Sequence, residues 1–154
     1  MDLKSLVAQH IREILKGNWS DIFLTDVLQD VTLEEANFIP PSKNSIAMLA
    51  NHLKFYNDIV ILRLQNDTRP VNYETNGFDV PLLDNEKSWQ HLKEDTFLSF
   101  IKLATEVEAM PEEKLFELTP SGSATFYKTL HGLVEHAHYH MGQMMIIKKL
   151  IRSK

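Results

Sequence analysis

The chain has 154 residues, of which 44% are hydrophobic and 24% are charged. This composition is typical of a soluble globular protein, and the length predicts a single domain over 1–154. The formal net charge of -5 and the lack of any basic cluster outside the C-terminal end argue against nucleic-acid binding, which depends on clustered Lys and Arg.

Two absences narrow the chemistry and the compartment that the sequence predicts. The chain has no cysteine, so no thiolate can serve as nucleophile, metal ligand or disulfide partner. No stretch approaches the ~18 apolar residues of a membrane span. The N-terminal segment mixes charged and apolar residues at helical spacing, unlike a secretory signal. We therefore expect a cytoplasmic protein that does not bind membranes.

The first part of the chain predicts one long helix and one short helical segment. Apolar residues recur at spacings of three and four over 2–16, which indicates an amphipathic helix. The segment 19–41 is typical of a short helical stretch followed by a turn. Within it, Thr32 and Glu35 have the spacing of a capping box, so we expect a helix to begin there.

The middle of the chain predicts two long helices separated by a long connection. The first of them is capped within 42–45 and runs to about Gln65. The connection 66–87 is rich in Asn, Asp, Pro and Gly and is long for a compact domain. Such a length lets the chain cross over to a helix parallel to the previous one. The next helix begins after Ser88 and ends before Pro111.

The last helix is predicted from about Ala124 to Ile151, and no alternating pattern indicates a strand. Its apolar stripe consists of Phe126, Leu130, Leu133, Ala137, Met144, Ile147 and Ile151. Four long helices in one chain predict an all-α fold, a four-helix bundle with a long crossover connection between helices 2 and 3.

Helical geometry separates the three histidines of the sequence VEHAHYHMGQ. At about 100° per residue, His136 and His140 fall on the buried side of the last helix, one turn apart, whereas His138 faces solvent. A helix presents two imidazoles to one metal ion at this i, i+4 spacing. The spacing alone leaves open the alternative that each is a core histidine with a local hydrogen-bond partner.

His52 is the third histidine predicted to point inward, because it lies on the apolar side of the second long helix with Leu49, Tyr56 and Ile59. Three converging imidazoles predict a divalent metal site with open positions for water or substrate. Zinc and nickel are the preferred ions for this donor set, and iron and manganese remain open.

Two other metal motifs do not fit the sequence. A zincin helix needs Glu directly after its first histidine, where this chain has Ala137. A di-iron carboxylate bundle needs two Glu-x-x-His helices, and Glu135 with His138 is the single match in the chain. The three-histidine arrangement is therefore the motif that we carry forward.

The histidines and their surroundings resemble the DinB-like family, the metal-dependent hydrolases grouped with the bacillithiol transferase-like enzymes. The H-x-x-x-H-x-G-Q pattern of that family stands here as His136, His140, Gly142 and Gln143. The stretches NSIAMLANHLKFYND, FDVPLLDNEKSWQHL and TFYKTLHGLVEHAHYHMGQMMIIKKLI are similar as well. The resemblance extends over nearly the whole chain.

The resemblance implies that His52, His136 and His140 hold a divalent metal in one DinB-like four-helix bundle over 1–154. It further implies an up-down-down-up topology and a homodimer. Gly142 would allow a neighbouring backbone to approach closely, and Gln143 would form a hydrogen bond near the site. A polar residue at the helix boundary is an equally good interpretation of Gln143.

Two metal-dependent activities are implied by the resemblance, both on a small-molecule substrate: hydrolysis, or transfer of a low-molecular-weight thiol. No catalytic residue is predicted, because Asp58 and Glu135 point away from the buried stripes and Tyr56 has an equally good interpretation as a core residue. Two alternatives stay open, a non-catalytic protein that binds a metal or small ligand, and a dimeric scaffold with histidines in its core.

Overall fold

The computed structural model describes residues 2–153, and these form helices, turns and loops without any strand. The helices are α1 (Leu3–Glu13), α2 (Leu24–Gln29), α3 (Leu33–Asn37), α4 (Ile46–Leu64), α5 (Glu86–Ala109) and α6 (Phe126–Arg152), with a short 3-10 helix at Glu112–Phe116. Within 2–153, no helix has the length and apolar character needed to traverse a lipid bilayer. The predicted all-α fold class is confirmed.

Side-chain caps mark where the α-helices begin, with the exception of α2. The Thr32 hydroxyl accepts from the backbone N–H of Glu35, whose carboxylate accepts in return from the N–H of Thr32, so the predicted capping box is confirmed. α5 begins at Glu86, three residues earlier than predicted, because the Asn85 side chain accepts from the backbone N–H of Ser88.

The four longest helices share the apolar core. α4 packs against α5 and α6, and α1 packs against the same two helices. Trp89 of α5 is fully buried and donates from its indole N–H to the Val31 carbonyl over 2.8 Å. This bond ties the segment between α2 and α3 to the core, where a buried indole needs a partner.

Three side-chain hydrogen bonds join α4 and α5 at successively later positions in both helices. They are Thr96 to the Ala50 carbonyl (3.4 Å), Asn57 to Ser99 (3.0 Å) and Gln65 to Glu106 (2.8 Å). The connection between the two helices contains no helix within 66–85 and folds back onto α4. This returning segment helps to build the candidate site.

Basic residues near the C-terminal end of the chain form intramolecular ion pairs with acidic residues of the α2 and α3 region. Lys148 lies 2.6 Å from the carboxylate of Asp30, and Arg152 bridges Asp30 and Glu35. The ammonium of Lys148 and the guanidinium of Arg152 hold the pKa of the Asp30 carboxyl well below its usual range. The end of α6 is thereby attached to α2 and α3, which orients the helix that carries two of the candidate ligands.

Candidate metal centre

Three imidazole rings meet at the seam between α4 and α6. His52 comes from α4, and His136 and His140 come from successive turns of α6. The Nε2 atom of His136 lies 2.9 Å from the Nε2 atoms of both His52 and His140. One ring nitrogen from each of the three residues lies within 4.8 Å of the others. The structure therefore brings together the three histidines that the helical wheels placed inside.

The outer ring nitrogens determine the tautomers of two of these histidines. His52 donates from Nδ1–H to the Asn76 carbonyl over 2.6 Å, and His140 donates from Nδ1–H to the Oε1 atom of Gln143 over 2.7 Å. Because both partners are oxygen acceptors, the proton lies on Nδ1 and the Nε2 lone pair points to the centre. This is the arrangement by which proteins orient metal-binding histidines. The hydrogen bond expected of Gln143 is confirmed.

Without a cation, the three Nε2 atoms cannot all be paired. His52 and His140 present lone pairs, and the His136 nitrogen carries at most one proton, which can point to one neighbour only. The other pair of nitrogens would then face each other with two lone pairs. A divalent ion between the rings would attract all three lone pairs, so the donor set fits a transition metal of the zinc or nickel kind.

Burial keeps these imidazoles neutral. It lowers the pKa of His136 to about 4, with further contributions from the nearby His140 and His52. Burial also lowers the pKa of His52 and of His140, and in both it outweighs an opposing hydrogen bond to the ring. A metal ligand must be deprotonated, and all three rings meet this condition at neutral pH.

The comparison with protein families bears on the same residues. The sequence model of the DinB superfamily matches residues 23–144, most of the chain, including all three histidines. The chain belongs to the DinB superfamily. No curated protein and no solved structure matched the chain. For this DinB protein, family membership and local geometry agree that the three-histidine group could hold a metal ion.

The segment after α4 covers one side of the DinB protein's histidine group. Phe78 stacks on the ring of His52, with the ring centres 4.0 Å apart. Tyr56 stands edge-on to His52 and donates from its hydroxyl to the Asn76 side chain over 2.9 Å. Burial raises the pKa of Tyr56, so its hydroxyl remains protonated and is a donor rather than a base. These contacts orient His52 and shield it from water.

Gly77 makes this close packing possible. Its φ of 76° is a left-handed conformation that glycine adopts without strain. A Cβ at this position would lie 2.5 Å from the Cβ of Phe55 and 3.3 Å from the Cα of His52. The Gly77 carbonyl accepts from the side chain of Asn51 over 2.8 Å, which holds the turn on α4.

Sequence reasoning did not identify Asn76, Gly77 or Phe78 as parts of the site. The length of the connection indicated a functional segment, and the Asn-Gly dipeptide is a turn signal. Neither signal specifies which helix the turn contacts. These residues became recognisable only from their contacts with His52.

The other residues of the motif have different environments. His138, which is predicted to face solvent, is instead half-buried, because its ring folds back on α6 and donates from Nδ1–H to the Val134 carbonyl over 2.8 Å. As predicted, it does not join the group. A Cβ at Gly142 would meet no atom within 4 Å. Within residues 2–153 no backbone or helix approaches Gly142, which lies on an exposed side of α6, so the expected close approach is not made inside this chain.

We expect the metal-free DinB protein to lose stability as the pH is lowered. An unfolded histidine has a pKa of about 6.5, so below this pH the unfolded chain binds more protons than the folded chain, whose histidine pKa values are lower. The free energy of unfolding should therefore fall between about pH 6.5 and the pKa of His136 near 4. Urea unfolding in the presence of a chelator measures this fall. The variant His136→Ala should show a shallower fall, and equal slopes in the two proteins would contradict the assignment.

Proposed function

We propose that this protein binds one divalent metal ion through His52, His136 and His140 and uses it to act on a small molecule. The convergence of three ring nitrogens within 4.8 Å carries the proposal. Three protein ligands leave at least one coordination position open, as in catalytic rather than structural zinc sites. Zinc or nickel is the ion that we expect, with iron or manganese as further candidates.

The proposed reaction is metal-assisted hydrolysis or transfer of a low-molecular-weight thiol to an electrophile. His52, His136 and His140 would hold the divalent ion as neutral ligands, so that it would keep its positive charge and lower the pKa of a bound water or thiol. The chain's own residues orient the ligands, through Asn76 on His52 and Gln143 on His140. Neither Asp58 nor Glu135 belongs to the histidine group, since Asp58 pairs with Lys54 and Glu135 is exposed on α6.

We also propose an up-down-down-up bundle of α1, α4, α5 and α6. The order of the hydrogen bonds between α4 and α5 supports a parallel pair joined by a crossover. An antiparallel α4 and α6 is supported by two cavities, because Leu49 lines one with Ile147 and Val60 lines the other with Phe126. The homodimer stays a prediction, which light scattering can check.

Metal analysis followed by activity screening tests the proposed function. Tag-free protein should retain close to one zinc or nickel ion per chain after dialysis. The loaded protein should then be screened against hydrolase substrates and against thiol and electrophile pairs, with chelator-treated protein as the control. Metal-dependent turnover would support the proposal, metal without turnover would favour a binding protein, and protein without metal would favour a scaffold.

A further inference from the structure

A cavity lies between α4 and α6 next to the histidine group, on the side towards the start of α6. The cavity has a volume of about 250 Å³ and is bounded by α4, the first turn of α6 and the loop 119–123. Tyr56 lines this cavity, and its ring also stands edge-on to His136 with the ring centres 5.4 Å apart. Tyr56 therefore lies between the cavity and the candidate metal centre.

Gly132 lies between the cavity and His136 along the surface of α6 and places no side chain there. Thr129, Gly132 and His136 are spaced by three and four residues, which places them on one side of the helix. Thr129 lines the cavity. A Cβ at position 132 would meet no heavy atom within 4 Å. No close packing contact accounts for a glycine at this position inside a helix, where glycine is unfavourable. We take the space above Gly132 as the route along α6 by which a ligand in the cavity reaches His136.

The charge in the cavity is positive. Arg63 is its one charged lining residue, in a chain whose formal net charge is -5. The guanidinium donates to the backbone carbonyls of Asp67 (2.6 Å) and Arg69 (3.0 Å), which are neutral acceptors. Within residues 2–153 no carboxylate forms an ion pair with it; the nearby Asp67 carboxylate, whose pKa is lowered by Arg69 and to a smaller extent by Arg63, pairs with Arg69 instead. These two bonds hold the guanidinium in place and leave three of its five N–H donors free for a ligand.

Further donors surround the same space. Hydroxyl groups line the cavity at Tyr73, Thr119, Ser121, Ser123 and Thr129. Three of these hydroxyls form a chain of hydrogen bonds, from Thr119 to Ser121 (3.0 Å) and from Ser121 to Ser123 (2.8 Å). The first turn of α6 begins here as well, and a helix start carries a partial positive charge. A fixed guanidinium among hydroxyl groups is suited to binding an oxyanion.

We propose that the substrate carries a carboxylate or phosphate group that binds Arg63 in this cavity while its reacting group lies at the three histidines. The proposal rests on the proposed function and deepens it by naming the substrate class. Arg63 follows His52 by three turns of α4, a separation of about 16 Å along the helix axis. The substrate is therefore an elongated acid with its anionic group remote from the reacting group.

Matched thiols of one chain length test this proposal on the full-length protein loaded with cobalt(II). Mercaptoundecanoic acid, mercaptoundecylphosphonic acid and mercaptoundecanol differ only in the group opposite the thiol. Thiol binding is followed through the cobalt absorption spectrum. The better of the two acids should bind about 10-fold to 100-fold more tightly than the alcohol, since hydrogen bonds to a charged group are strong. The ratio between the two acids distinguishes a carboxylate from a phosphate site.

Two charge variants locate the acid preference. Arg63→Gln should bring the affinities for acid and alcohol close together while leaving the alcohol unaffected. Lys102→Gln makes the same change in net charge at an exposed position of α5 and should keep the wild-type ratio. If Arg63→Gln fails to fold, Arg63→Lys keeps the charge but not the planar fork, and its acid preference should be weaker than that of the wild type.

Two glycine variants test the route along α6. Gly132→Leu should block the route, so that the acid group of a bound thiol no longer reaches Arg63. The loss of that charged hydrogen bond should lower the affinity for the long acid at least about 10-fold. The variant should leave binding of short mercaptoethanol intact. Gly142→Leu places the same side chain on the exposed side of α6 and should keep both affinities.

The outcomes separate this proposal from the function on which it rests. Equal affinities for acid and alcohol in the wild type, or an equal loss of both in Arg63→Gln, would overturn the acid site while mercaptoethanol binding still supports the metal site. A protein that retains no cobalt, or whose cobalt spectrum responds to no thiol, would overturn both. An acid preference that disappears in Arg63→Gln alone would establish the site.

Discussion

Replacing His140 by alanine is expected to reduce bound metal from about one ion per chain to a trace. The change removes one of three proposed ligands and also the partner of Gln143. Loss of an outer partner alone typically lowers metal affinity 10-fold to 100-fold, so loss of the ligand should exceed about 100-fold. Elemental analysis after dialysis and competition with a chelator measure the change.

His138→Ala is the matched control for this experiment. His138 lies on the same helix and is half-buried, but its ring donates to the Val134 carbonyl instead of joining the group. Metal content should therefore be unchanged. Zinc should raise the melting temperature of the wild type and of His138→Ala but not of His140→Ala, because binding to the folded state alone stabilises it. Full metal retention in His140→Ala would contradict the proposed ligand set.

Gly77→Ala is expected to damage both the fold and the candidate metal centre. The added Cβ would lie 2.5 Å from the Phe55 side chain and 3.3 Å from the backbone of α4 at His52, so the turn must move outward. Left-handed strain together with overpacking should lower the free energy of unfolding by about 2 to 5 kcal/mol. Moving the turn also lengthens the bond from His52 to the Asn76 carbonyl, which should lower metal affinity about 10-fold or more.

Gly17→Ala is the control variant that measures the effect of backbone strain without a steric clash. Gly17 also has a positive φ, 97°, but a Cβ there would meet no atom within 4 Å. This variant should lose about 1 to 2 kcal/mol of stability from backbone strain and keep the metal affinity of the wild type. Urea unfolding and chelator competition provide the two measurements. Equal losses of stability in the two variants, with metal affinity preserved in both, would refute the role of Gly77.

Short-range chemistry explains why the sequence predicted so much of the helical structure. The capping box of Thr32 and Glu35 and the periodicity of α6 both depend on residues at most four positions apart. The same periodicity separates His136 and His140 from His138. The Gln143 contact with His140 is equally local, three residues along one helix, and so a sequence motif can include it.

Helical geometry alone could not show that His52 meets His136 and His140, because this requires α4 and α6 to be neighbours. The wheels placed each histidine on an inner side, but 84 positions separate His52 from His136. Two buried sides of two helices meet only if the helices are neighbours. The structure supplies that adjacency, with α4 packed against α6.

The environment of the site was decided by tertiary structure alone. The connection 66–85 has no hydrophobic period, so its sequence does not specify which surface it covers. Its path is determined by contacts with α4 that reach across about twenty or more positions, including Asn76 with His52 and Gly77 with Asn51. The cavity at Arg63 arises in the same way, where this connection, the loop 119–123 and α6 meet. The sequence by itself thus determined the helices and the inward histidines, because helical periodicity is local. Only the folded chain decided what surrounds them, because loops follow the surfaces available to them.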